Sequence, residues 1–242
     1  MIVNQHQKGW EIIYHRAHAL LAAEIAGHWN VKERPIRWLE TVAAISHHDD
    51  LEKEWEEKNI TDAGAPLDFT LIEDIYVPKI RQLTQNARYR GRWVAMMISM
   101  HMSFLHEANR GKFPELDEFL DEQLKNQEQW RQELNITEDD AVKAYEFFQW
   151  CDRLSLILCN RMIPAGERAL EIATLSDGKR YDVMQRSDGN FTVTPWLFQE
   201  KEFTVNVEAC YVEQLQFASS GELSQALQTA PIKTLEWTFV KS

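Results

Sequence analysis

Cysteine is scarce in this chain. Cys151, Cys159 and Cys210 are an odd set without metal-finger spacing, which excludes a complete disulfide framework and fits reduced thiols in a cytoplasmic protein. Positive charge is also short: 26 Lys and Arg face 38 Asp and Glu, a net charge of −12. A nucleic-acid partner, which needs cations to neutralise phosphates, is excluded on that balance. A small phosphorylated substrate met by a few local arginines is not. Long hydrophobic runs are missing, since the longest, "WVAMMISMHMSFL", is too short and too interrupted to span a bilayer. The opening "MIVNQHQKGWEIIYH" has no apolar core of a signal peptide, so neither export nor membrane insertion is expected. A glycine-rich phosphate loop, a Gly-x-Ser-x-Gly elbow and a Cys-x-x-Cys pair are absent too. So are internal repeats and low-complexity segments.

What is present is enough apolar material for a sizeable core: 44% hydrophobic residues, with nine Trp and eleven Phe. Apolar alternation on either side of Lys8 and Gly9 predicts a hairpin at residues 1–14. Helical spacing then takes over. Helices are expected near 15–29, from Pro35 through the Glu- and Lys-rich run ending at Glu57, over 71–86, from Arg92, over 114–134 and from a Thr137 cap to Cys159. In 114–134 the stripe of Leu116, Phe119, Leu120, Leu124 and Trp130 marks a core face or the face of a homo-oligomer. After about residue 165 the period changes to two. Two Asp-Gly turns lie between alternating runs, strand-like pieces follow at "EFTVNVEACYV" and "LEWTFV", and a short helix falls near 221–229. The expectation is an α+β protein: a mainly α-helical domain over 15–165, and a small antiparallel β unit over 166–242 joined by the hairpin of residues 1–14.

The stretch "AISHHDDLEKEW" (residues 44–55) carries four adjacent groups that bind protons or metals. The phase of each apolar stripe decides which polar residues point inward. His48 shares a face with Ala44, Ile45, Leu51 and Trp55, and Asp49 lies about 100° around from it. His18 travels with Tyr14, Leu21, Ala22 and Ile25, and His101 with Met97, Ile98, Phe104 and Leu105. Asp152 travels with Tyr145, Phe148, Gln149, Leu156 and Cys159. Four helices thus send ligand-type residues into an apolar interior, where carboxylates are costly unless paired or bound to a metal. A divalent ion would compensate Asp49, Asp152 and three imidazoles together.

In this order, His18, the adjacent His48–Asp49 pair and the distant Asp152 resemble the H…HD…D pattern of the HD-domain metal-dependent phosphohydrolase superfamily, and His101 sits where some members carry a further His. The chain also looks like a bacterial family of uncharacterised function, through "AISHHDDLEKEW", "GAPLDF", "ISMHMSFL", "CDRLSLILC" and "PWLF". It departs from the superfamily at Asp50–Leu51, where many members have a small residue, and in residues 165–242, which lie outside the usual all-helical core. The resemblance implies an HD-like helical domain. It also implies a hydrolase of a small phosphorylated or nucleotide-like substrate, using one or two ions of manganese, iron, magnesium or zinc. Asp49 and His101 would be the catalytic pair. Asp49 would bridge ions and His101 would serve a second ion or hold a water, with His18, His48 and Asp152 as further ligands. Two other readings use the same residues: a di-iron oxygenase, and a non-catalytic protein keeping a degenerate site.

Simpler roles stand beside these. His47 reads as a surface or supporting residue, His106 as surface, and His15 and His28 as exposed. Asp50, Glu52, Glu54, Glu56 and Glu57 read as a solvated helix end beside Lys53 and Lys58. Arg153 is a candidate ion partner for Asp152. Arg88, Arg90 and Arg92 precede the helix carrying His101, where cations oppose the helix dipole. The simpler expectation is a solvated basic loop in an acidic protein; the alternative is an acidic partner or a substrate phosphate met by one or more of these arginines, with Arg90 and Arg92 as the substrate candidates.

Overall fold

The alternation at the start of the chain does make a hairpin. In the structure, a computed structural model that describes every residue except Glu57 and Ser242, strands β1 (Ile2–His6) and β2 (Gly9–Ile13) pair antiparallel. The later strands are β3 (Leu170–Thr174), β4 (Arg180–Gln185), β5 (Phe191–Thr194), β6 (Glu202–Val212) and β7 (Ile232–Val240). All seven form one sheet in the order β1-β2-β6-β7-β5-β4-β3. Gly9 permits the junction of hairpin and sheet, because a Cβ there would lie 2.1 Å from the Val212 carbonyl oxygen.

Both Asp-Gly pairs turn hairpins as expected, but through three-residue loops. Gly178 (φ 79°) and Gly189 (φ 88°) take the left-handed position that such loops require. Asp177 and Asp188 each accept a hydrogen bond from the backbone N–H two residues on, at 2.8 and 3.0 Å.

The α+β class holds, but the expectation of a mainly helical protein with a small antiparallel β unit is overturned. The described residues form seven α-helices and a seven-stranded sheet, with 48% of the chain helical and 20% in strands. The sheet is mixed, since β5 meets β7 in parallel at Phe191 and Phe239. Nor is it an appendage. Phe203, Val205, Val207 and Ala209, alternate residues of β6, are buried in the same apolar core as the helices. Period-two alternation reports which face of a strand is buried, and is silent on how many strands share a sheet or what covers them.

The helices are α1 (His15–Gly27), α2 (Trp38–His47), α3 (Val77–Ala87), α4 (Arg92–His106), α5 (Pro114–Leu134), α6 (Glu138–Cys159) and α7 (Ser220–Thr229). α6 begins as its sequence requires: Thr137 Oγ1 accepts from the Asp140 N–H at 3.1 Å, and three acids occupy the first turn. α2 is much shorter than expected. It starts after Arg37, which is left-handed at φ 52°, and stops at His47 instead of running to residue 57. α3 begins at Val77 rather than 71, behind a 3-10 turn at Phe69–Leu71.

Between helices and sheet lies an aromatic layer. The fully buried Trp150 of α6 meets Trp29 edge-on at 4.9 Å, with Phe198 at 5.9 Å and Tyr181 of β4 at 6.3 Å. Phe203 stacks on Phe239 at 5.3 Å. Glu11 of β2, buried though charged, accepts from Arg161 Nε at 3.0 Å and from the Tyr211 hydroxyl at 2.6 Å. That clamp ties the hairpin to the end of α6 and to β6. No helix is long and apolar enough to cross a membrane among the described residues. Glu57 lies outside the described residues.

Candidate metal centre

α1, the end of α2, α4 and α6 converge so that His18, His48, Asp49, His101 and Asp152 meet in one cluster. His18, His48 and His101 are buried, at 2–3% exposure. The side chains of Asp49 and Asp152 are 22% and 13% exposed. The ligand atoms of His18, His48 and Asp49 lie within 4.8 Å of one another, and so do those of His48, His101 and Asp152. His48 belongs to both groups.

Each imidazole is oriented by a partner on its Nδ1 side. His48 Nδ1–H donates to the Ile45 carbonyl at 2.6 Å. Ser155 spends its own hydroxyl proton on the Asp152 carbonyl at 2.8 Å, so its oxygen accepts from His18 Nδ1–H at 2.9 Å. His101 Nδ1 meets the Tyr145 hydroxyl at 3.3 Å. Such partners are what fix the tautomer and ring angle of a metal-ligating histidine, leaving Nε2 to face the ion. Facing Nε2 here are carboxylate oxygens. Asp49 Oδ2 is 2.8 Å from His18 Nε2 and 3.3 Å from His48 Nε2, and Asp152 Oδ1 is 3.3 Å from His48 Nε2.

The donor set fits a divalent ion. Asp152 Oδ1 is buried without a hydrogen-bond partner, and lone pairs opposed in this way need positive charge between them. Neighbouring donors on a shell of about 2.1 Å radius lie roughly 3–3.5 Å apart, the spacing seen between these atoms. Protons can supply part of that charge. Burial disfavours the charged form of His48, but Asp49 and Asp152 outweigh it and raise its pKa to about 10. Burial alone would raise the carboxyl of Asp49, yet His48 and His18 hold it far below the usual range, and Asp152 is lowered likewise, mainly by His48. His101 is pushed down to about 4, by burial first and then by the charge on His48. Its ring is thus neutral at neutral pH. Proton and metal would compete for His48, so an ion bound here would release a proton.

α2 ends at His47, so His48 and Asp49 reach the cluster from the cap and the following turn. His48 keeps helical angles (φ −66°, ψ −22°) as the C-cap, which preserves its inward direction. Asp50 lies at the rim, where it accepts from Arg90 at 2.8 Å and meets His47 at 3.1 Å. Arg92 instead pairs with Glu133 of α5 at 2.9 Å. Arg153 is exposed, and the groups about Asp152 Oδ1 are His18 and His48. Ser155 and Tyr145 were not anticipated in supporting roles. Their signal was present, since both share the inward face of α6 with Asp152, three residues after it and seven before.

His15 and Glu54 are corrections. Both are buried, because the segment after α2 folds back over the start of α1, a non-local contact that no helical period reports. Glu54 accepts from the His15 backbone N–H at 2.8 Å, and the His15 ring meets Phe69 edge-on at 4.9 Å. Burial, with the Met1 amino group donating to Nδ1 at 3.1 Å, pushes the His15 pKa down to about 3. Its folded value lies below the unfolded value of about 6.5. The unfolded chain therefore binds the proton first as pH falls, and the stability that neutral His15 contributes above about 6.5 is lost as pH drops toward 3. Urea midpoints should fall between pH 7 and pH 5, and less steeply in His15→Gln. Equal slopes in the two proteins would assign the acid sensitivity elsewhere.

An α+β fold in which four helical segments hold a buried His/Asp cluster is the class that sequence and geometry define. Residues 1–214 match the family described as protein of unknown function, DUF3891, and the chain belongs to that family. The matched span includes all five donors. No curated protein and no solved structure matches the chain.

Proposed function

We propose that the chain is a metal-dependent phosphohydrolase of the HD type, acting on a small phosphorylated substrate. The observation that carries this is the orientation of the imidazoles: all three have Nδ1 engaged, and the Nε2 atoms of His18 and His48 face the Asp49 and Asp152 carboxylates. The H…HD…D order of His18, His48–Asp49 and Asp152 supports the same reading. The five residues would hold one or two ions. Imidazole with carboxylate suits manganese, iron or zinc better than the all-oxygen preference of magnesium. A bound ion supplies a Lewis acid for a phosphoryl oxygen and lowers the pKa of water at neutral pH.

The chain's own residues do the rest. Asp49, the more exposed carboxylate, sets the side from which substrate arrives. Ser155, Ile45 and Tyr145 hold the imidazole planes. Arg90 places a guanidinium at the rim through Asp50. The test is protein purified without chelator, assayed for bound metal and screened with phosphomonoesters and phosphodiesters plus added manganese. Hydrolysis that follows metal content is the expected result. Redox-active iron with oxygen consumption and no hydrolysis would instead select the oxygenase reading, which this His- and carboxylate-rich donor set also suits.

A further inference from the structure

Between the end of α2, α3 and α4 the fold leaves a pocket of about 350 Å³, within the size range of small-molecule sites. None of the five cluster donors lines it, so it is a site apart from the metal centre. Its lining divides by depth. Leu83, Ala87, Val94 and Ile98 are buried and, with the half-buried Leu51, make an aliphatic floor. The mouth is polar: Tyr89 and Arg90 are exposed, and His47, Asp50 and Asn86 half-buried.

The mouth is rich in unspent donors. Asp50 is already engaged, by Arg90 Nη2 at 2.8 Å and by His47 Nδ1 at 3.1 Å. Arg90 keeps most of its N–H groups, and the Asn86 amide and Tyr89 hydroxyl bond no protein group among the described residues. Charge points the same way. Arg16 of α1 donates to the Asp50 main-chain carbonyl and pairs with no carboxylate among the described residues. Two guanidiniums are thus held at Asp50, which leaves one positive charge unmatched. An ammonium ligand would be repelled there, and a phosphate dianion would overshoot the available charge. A wholly apolar ligand would strand the Arg90 and Asn86 donors without water.

We propose that this pocket binds a small carboxylic acid independently of the metal centre. Its carboxylate meets the planar fork of Arg90 and the Asn86 amide, and its short branched or single-ring body lies on the aliphatic floor.

Four probes test this by calorimetry on full-length protein, with manganese and with chelator. Phenylacetate should bind more tightly than acetate by at least about tenfold, because only its ring covers the floor. It should also exceed the neutral phenylacetamide by at least about tenfold, through charge-assisted hydrogen bonds. Both preferences should be the same with manganese and with chelator. Arg90→Met and Asn86→Leu, at positions outside the core, should each keep the wild-type melting temperature, and in Arg90→Met the preference for acid over amide should fall below about twofold. Equal affinity for acid and amide, or a preference that survives both substitutions, overturns the proposal. Tighter binding of benzylphosphonate than of phenylacetate assigns the mouth to phosphate and overturns the carboxylate. Binding of phenylacetate that appears only with manganese puts the acid on the ion and overturns the separate site.

Discussion

Asp152→Ala and Asp49→Ala should each abolish bound metal, while His47→Ala should retain it at the wild-type level. Asp152 Oδ1 is a buried acceptor whose neighbour is His48 Nε2 at 3.3 Å, and Asp49 Oδ2 sits within 3.3 Å of two imidazoles. His47 is half-exposed and engages Asp50 at the rim. Melting temperature reads the same difference. An ion bound only by the folded chain stabilises it by about 2.7 kcal/mol at a hundredfold excess over Kd. Added manganese should therefore raise the wild-type midpoint and leave both aspartate variants unmoved. Asp152→Asn is the sharper comparison, because it keeps the shape and removes only the charge. Equal metal content in wild type, both alanine variants and His47→Ala would refute the centre, as would wild type empty under every supplementation. The cluster would then be a buried polar network.

A chain cut after residue 165 should fail to fold. The cut removes β3 to β7, leaving Ile12 and Ile13 of β2 without β6 and baring Trp29 and Trp150, which meet Phe198 and Tyr181. Losing the cover of one buried aromatic typically costs about 3–5 kcal/mol, against a total stability of roughly 5–15 kcal/mol. Both are uncovered together here. Circular dichroism and a thermal melt check this: the fragment should lack a cooperative transition, where full length shows one. A fragment that melts cooperatively with its helical signal intact would mean the helices stand without the sheet.

Local signals in the sequence were read well where one residue decides the structure. Gly178 and Gly189 had to turn hairpins because their backbone is left-handed, and Thr137 had to start α6 because its hydroxyl caps that helix. The five clustered residues were legible because His18, His101 and Asp152 each lie within a helix, although Phe104 and Leu105, expected on the inward face with His101, are exposed. His48 came out correctly although α2 was drawn ten residues too long, since one residue past the helix still keeps helical angles. What stayed hidden was non-local. Nothing near His15 announces that Glu54 and Phe69 return to bury it. The alternation of β6 looks the same whether it joins a two-stranded flap or, as here, ties β2 to β7. Arg90 found an acidic partner in Asp50 forty residues away, and no spacing rule connects those positions.

His48 belongs to both three-residue groups, yet an imidazole whose Nδ1 proton is spent on Ile45 has a single lone pair to give. Two ions cannot both own it. Were two ions held, whichever took it would leave the other with His18 and Asp49 alone, or with His101 and Asp152 alone. Loading of two ions would therefore be unequal. The first equivalent should bind much more tightly than the second, and the loosely held one would exchange with its surroundings while its neighbour stays put.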